Sequence, residues 1–111
     1  LLESFHPKEV SMVAKIIIKR RFVDGKSKQI IALLNEIRSK AMNYQGYMSG
    51  ETLSKKEFPL NMAVISTWQT MEDWLRWKES PERKKYEEML EIFQTRPTEY
   101  EEYILGTSFQ K

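Results

Sequence analysis

Apolar and polar positions alternate along the chain in two distinct periods. From Met12 to Phe22 the period is two: Ala14, Ile16, Ile18 and Phe22 fall on one face, and Val13, Lys15, Ile17, Lys19 and Arg21 on the other. With β-branched Val13, Ile16, Ile17 and Ile18 in the run, the pattern predicts a strand. Its second face mixes apolar and cationic side chains, which does not suit a plain core. Asp24-Gly25 predicts a turn, after which the period changes. Ile30, Leu33, Leu34, Ile37, Ala41 and Tyr44 recur at spacings of three and four, predicting an amphipathic helix from about Lys26 to Tyr44. Gly46 stands where a left-handed C-terminal cap belongs.

Tyr47 to Ser54 reads as a weaker strand, and Gly50 within it marks a bulge or a close backbone approach. A loop containing Pro59 leads to a short apolar strand, Met62 to Trp68, and two strands so joined should pair as a hairpin. Thr70 caps the next helix, with Asp73 at the reciprocal position of a capping box. Met71, Trp74, Leu75 and Trp77 form its expected buried side. Ser80-Pro81 restarts the helix, serine as cap and proline in the first turn, where its missing N–H costs nothing. Tyr86, Met89, Leu90 and Phe93 make the stripe of this segment; Arg96-Pro97 ends it, and Thr98 to Leu105 alternate as a last strand. Residues 1–11 lack a period and contain His6-Pro7, so an N-terminal arm is expected there. The domain is expected over 12–105, with a C-terminal tail over 106–111.

The order strand, helix, strand, strand, helix pair, strand is the split βαβ pattern of ferredoxin-like folds. The fold class expected is α+β: a four-stranded antiparallel sheet with helices on one face. Such a sheet leaves its other face bare. A second copy stacked on that face would cover it, giving a homodimer through the open sheet face with Val13, Ile17, Lys19 and Arg21 near the contact.

Composition narrows the classes of partner. Among 111 residues, 41% are hydrophobic and 31% charged, and the net charge is only +2. The basic pairs Lys55-Lys56 and Lys84-Lys85 are interleaved with Glu57, Glu82, Glu87 and Glu88, a mixed solvated surface rather than a nucleic-acid footprint. Ile16-Ile17-Ile18 runs straight into Lys19-Arg20-Arg21, far short of the roughly 18 residues of a membrane helix. Leu1-Leu2 are followed at once by Glu3, unlike a secretory leader. With no cysteine there is no disulfide or thiolate chemistry, and a cytoplasmic protein is expected.

All three tryptophans lie between Trp68 and Trp77. A cluster of this costly side chain marks the heart of a core or a pocket for a flat ligand, and the partners of the indole N–H groups decide between them. The motif Trp68-Gln-Thr-Met-Glu-Asp-Trp74, followed by Ser80-Pro81, joins the Asp24-Gly25 turn and the Gly46-Tyr47 step. In this order the chain, from about Ala14 to Leu105, resembles the antibiotic-biosynthesis monooxygenase superfamily of dimeric α/β-barrel proteins. The resemblance implies a pocket between sheet and helices, with Ile18, Tyr47, Trp68, Trp74, Trp77 and Tyr86 as candidate lining residues. It also implies binding of a small aromatic or quinol-like molecule and its oxidation without cofactor. The alternative on the same scaffold is a non-catalytic small-molecule-binding or structural homodimer.

Heme-degrading members of that superfamily use an Asn, a Trp and a heme-ligating His. The resemblance aligns these with Ile18, Trp77 and Glu87, so two of the three are replaced. Glu87, set among charges, reads as a solvated residue. Heme is accordingly disfavoured and no cofactor is expected. His6, the sole histidine, has no partner at metal-ligand spacing, so neither a metal site nor a Ser-His-Asp device is expected. A cofactor-free oxygenation needs a base or hydrogen-bond acceptor in a dry pocket. Tyr44, Tyr47, Tyr86, Asn61 and Glu51 are the candidates, none singled out by spacing. The six methionines are expected to fill gaps between sheet and helices.

Overall fold

The structure, a computed structural model, describes residues 12–106. The arm expected over 1–11, with His6, and residues 107–111 of the expected tail lie outside them. Alternation makes Ala14–Arg21 a strand, β1, whose Ala14, Ile16 and Ile18 are buried on one face. A turn at Gly25 (φ 82°) leads into helix α1, Ser27–Ala41, which buries Ile30, Leu34, Ile37 and Ala41. Strands β2 (Tyr47–Ser54) and β3 (Asn61–Trp68) form the expected hairpin. Helices α2 (Met71–Lys78) and α3 (Pro81–Glu91) follow, and β4 (Glu99–Ile104) closes the chain.

The four strands form one antiparallel sheet in the order β2-β3-β1-β4. This is the ferredoxin-like arrangement. Register sets the faces. Ala14 lies opposite Trp68 and Ile104, and Ile18 opposite Val64 and Tyr100, all directed at the helices. Ile17 opposite Ile65 and Glu101, and Lys19 opposite Ala63 and Glu99, make the reverse face, where Lys19 and Glu101 pair at 3.0 Å. No helix among the described residues is long and apolar enough to cross a membrane.

Several local expectations are corrected. Helix α1 stops at Ala41 rather than Tyr44, and its C-cap is Met42 in a right-handed conformation. The chain tightens there through Asn43 N–H to Lys40 and Tyr44 N–H to Ala41, which turns Tyr44 onto Trp77 with ring centroids 4.6 Å apart. Gly46 (φ 90°) therefore serves the turn into β2, not the helix cap. The bulge in β2 falls between Tyr47 and Ser49. Gly50 provides the close approach: an added Cβ there would strike the Tyr47 hydroxyl.

Thr70 caps α2 by accepting the Asp73 N–H at 3.0 Å, yet Asp73 does not complete the box. Its carboxylate accepts from Arg76 Nη1 at 2.9 Å instead, and the side chain is buried under Gly46. The buried side of α2 is thus Asp73, Trp74 and Trp77, while Leu75 is exposed. Ser80 caps α3, accepting the Arg83 N–H at 3.1 Å. The stripe that α3 buries is Arg83, Glu87 and Leu90, with Tyr86, Met89 and Phe93 only partly covered.

Gly46 is the position where backbone and packing demands coincide. Its φ is positive, and a Cβ would land on the Asp73 carboxylate. Gly46→Ala is expected to cost about 2 kcal/mol or more of unfolding free energy, read from urea denaturation monitored by tryptophan fluorescence.

Candidate functional site

A small cavity of about 50 Å³ lies between the helix-facing side of the sheet and the helices. Strand alternation supplies its floor: Ile18 and Arg20 from β1, Gly50 and Thr52 from β2, Val64, Ser66 and Trp68 from β3. Helix α1 contributes Leu34, Ile37, Arg38 and Ala41, and α2 and α3 add Trp74, Trp77 and Arg83. Five of the residues singled out from the sequence therefore meet here: Ile18, Tyr47, Trp68, Trp74 and Trp77. Tyr86 does not line the cavity; it packs at the edge of the core.

The aromatic wall is continuous. Tyr47 meets Trp68 edge-on at 5.3 Å, Trp68 meets Trp74 at 6.0 Å, and Trp74 meets Tyr100 at 6.1 Å. The three indoles differ in how their N–H groups are used. Trp68 donates to Ser66 Oγ at 3.1 Å, and Trp74 to Glu102 Oε2 at 2.8 Å. That bond, helped by Lys78, holds the Glu102 carboxyl below its usual range. Trp77 makes no such bond among the described residues, so it alone keeps a polar handle for something else. Trp68 and Trp74 are core and wall at once, being 1% and 0% exposed.

Beside this wall lies an ionic cluster, whose Arg20 and Arg83 also line the cavity. Arg20 alternates onto the same face as Ile16 and Ile18 and is 4% exposed. Its Nη2 donates to Glu87 Oε1 at 2.7 Å. Arg83 Nη2 donates to the Tyr100 hydroxyl at 2.8 Å and lies 3.5 Å from the same Glu87 oxygen. The Thr98 hydroxyl donates to the second Glu87 oxygen, and the Arg83 guanidinium sits over the Trp74 ring at 5.5 Å. Burial pushes the Glu87 carboxyl up. The charge and hydrogen bond of Arg20, the Thr98 hydroxyl and Arg83 outweigh burial and hold it below the usual range.

Glu87 is thus not the solvated residue expected from its charged neighbours: it is 7% exposed and ion-paired. Its partner comes from a strand 67 residues away. The helical period carried the signal, since Glu87 lies three residues before buried Leu90 and four after Arg83. At the position where the resemblance puts an iron ligand, the carboxylate is fully engaged by arginine and threonine, so the site does not fit heme iron. Among the described residues no three of Asp, Glu, His or Cys converge as a metal site. Of the candidate bases, only Tyr47 lines the cavity. Glu51 shares the reverse face with Ile65, and Tyr44 packs against Trp77 with the rings tilted by 60°.

The family model described as antibiotic biosynthesis monooxygenase matches residues 13–89. No curated protein matches the chain. A conserved protein of Methanosarcina mazei Go1 superposes with TM-score 0.77 at 14% identity, covering 86% of this chain and 95% of that one. SnoaB of Streptomyces nogalater, a cofactor-independent oxygenase, superposes with TM-score 0.76 at 11% identity, covering 91% and 100%. A protein of Mycobacterium tuberculosis gives TM-score 0.75 at 12% identity, covering 88% and 99%. At these identities the superpositions speak for the fold alone.

Proposed function

The chain belongs to the antibiotic biosynthesis monooxygenase family, and on that premise we propose that it binds a small aromatic or quinol-like molecule between sheet and helices and oxidises it with O2, using neither metal nor flavin. The observation that carries this reading is the cavity wall, where Tyr47, Trp68, Trp74 and Trp77 offer ring faces and edges to a flat ligand. SnoaB, a cofactor-independent oxygenase of the same fold, supports a reaction without cofactor. In an anthrone-type ligand, loss of a proton from the ring CH2 leaves a phenolate that is electron-rich at that carbon. That carbon takes one atom of O2 as C=O, and the other leaves as water with both hydrogens.

Among the described lining groups Tyr47 is the one suited to exchange the proton, because arginine stays protonated and none of these groups is a carboxylate or imidazole. The same observation favours a second reading, a non-catalytic binding module that holds its ligand without turnover. An oxygen electrode with a panel of quinols and anthrones separates them. Oxygen uptake is expected. Binding without uptake across the panel would leave the module, and no binding of any compound would remove both readings.

The working unit we propose is a homodimer through the reverse face of the sheet. There Ile17 and Ile65 sit opposite one another and Leu53 is exposed, with the described helices all on the other side. Light scattering at micromolar protein is expected to give twice 13.3 kDa; a mass of 13.3 kDa would end the proposal.

A further inference from the structure

The lining of the cavity is chemically one-sided. Three arginines border it, Arg20, Arg38 and Arg83, and among the described residues no aspartate or glutamate does. Arg20 and Arg83 are 4% and 3% exposed, so water screens them little. A single carboxylate, Glu87, serves both, and its second oxygen is already taken by Thr98. The buried cluster therefore carries one positive charge in excess. In addition, Arg20 Nε is buried with no hydrogen-bond partner among the described residues, an arrangement native structures rarely keep without reason. Nearby acids are committed elsewhere: Asp73 to Arg76, and Glu102 to Trp74 and Lys78.

We infer that the ligand carries an anionic oxygen group, a carboxylate or an ionised phenol, which seats against Arg20 and Arg83 while its ring lies along the tryptophan wall. This rests on the aromatic-binding reading above and adds to it a charge requirement. Guanidinium groups suit this role because their planar N–H array matches paired oxygen acceptors. Such an oxygen would satisfy Arg20 Nε and neutralise the excess charge in one step. Arg38, exposed at the mouth, would draw the anion inward. For a phenol the same field favours the ionised form, which is the form that reacts with O2.

The test uses the full chain and isosteric probes. Calorimetric titration with 2-naphthoate and 2-naphthamide is expected to show the carboxylate binding roughly tenfold to a hundredfold more tightly, the range of a charged over a neutral hydrogen-bonding partner. 2-Naphthol provides the other arm: a shift of its absorption to that of naphtholate on binding, at a pH where the free compound is neutral, would identify an ionised phenol as the fitted group. A preference in either arm supports the inference. Arg38→Gln, at an exposed position, is expected to weaken the charged probe several-fold more than the amide. Arg20→Lys, which keeps the cluster's charge and removes Nε, is expected to reduce the preference several-fold.

Equal affinity for naphthoate and naphthamide, with bound naphthol remaining neutral, would overturn the anion site while leaving the aromatic pocket standing. Failure of all three compounds to bind would overturn the pocket as well.

Discussion

Replacing Glu87 by alanine is expected to destabilise the fold by about 3–5 kcal/mol, the scale on which a buried ion pair fails when one member is removed. The loss exceeds that of an ordinary surface pair because what remains is two buried guanidiniums with no counter-charge. Arg20 and Arg83 are both nearly inaccessible, and Thr98 and Tyr100 offer only neutral oxygens. Glu87→Gln keeps the shape and removes only the charge, so it isolates the electrostatic share. Acid should expose the same dependence. The folded carboxyl is held below its unfolded value, so its contribution is complete above the ordinary carboxylate range and is lost as pH falls through the lowered folded value. Urea denaturation of wild type and Glu87→Gln across that range should converge at low pH. A constant gap between the two curves would show that the charge is not what Glu87 contributes.

Trp74→Ala is the second large effect, expected at about 3–5 kcal/mol by the same measurement. The indole is fully buried and touches the cluster on several sides: Trp68 on one side, Tyr100 and the Arg83 guanidinium on the other, with Glu102 holding its N–H. Truncation would open a void between sheet and helix and leave the Glu102 carboxylate short of a donor. Trp77→Ala offers the informative contrast. It too is buried, at 3% exposed, yet its N–H is not engaged by the described residues, so its loss should fall more on ligand affinity than Trp74's does. Equal losses of stability and of affinity in the two variants would remove the distinction drawn between wall and handle.

The two periods of the hydrophobic pattern made the sheet and helices legible, because each element buries one face and the pattern records which. The aromatic wall was legible for the same reason: Trp68 ends an apolar strand, and Trp74 and Trp77 share one side of a short helix. The ionic cluster was harder to read. Arg20 alternates with Ile16 and Ile18 and so belonged to the inner face, but it stands in the run Lys19-Arg20-Arg21 and reads locally as part of a solvated basic patch. Glu87 was disguised likewise by Lys84, Lys85 and Glu88 around it. Both are stabilised inside by a partner distant in sequence, and local composition carries no record of such pairing. The end of α1 was missed because Tyr44 keeps the helical spacing while its ring turns to meet Trp77, a tertiary contact. Leu75 was misplaced because the eight-residue α2 buries a narrow stripe, and Asp73 under Gly46 occupies the place a third apolar side chain would have held.

Strand β1 has a consequence for how this protein can change over evolutionary time. Its side chains alternate strictly, so Ile18 and Arg20 face the cavity while Ile17 and Lys19 face outward, each one bond step from its opposite. Point substitutions can tune either surface independently of the other. A single-residue insertion or deletion within the strand would instead invert both at once, driving Lys19 or Arg21 among the tryptophans and casting Arg20 away from Glu87. Length variation among related chains should therefore gather in the connecting loops, with this strand kept constant in length however far its residues diverge.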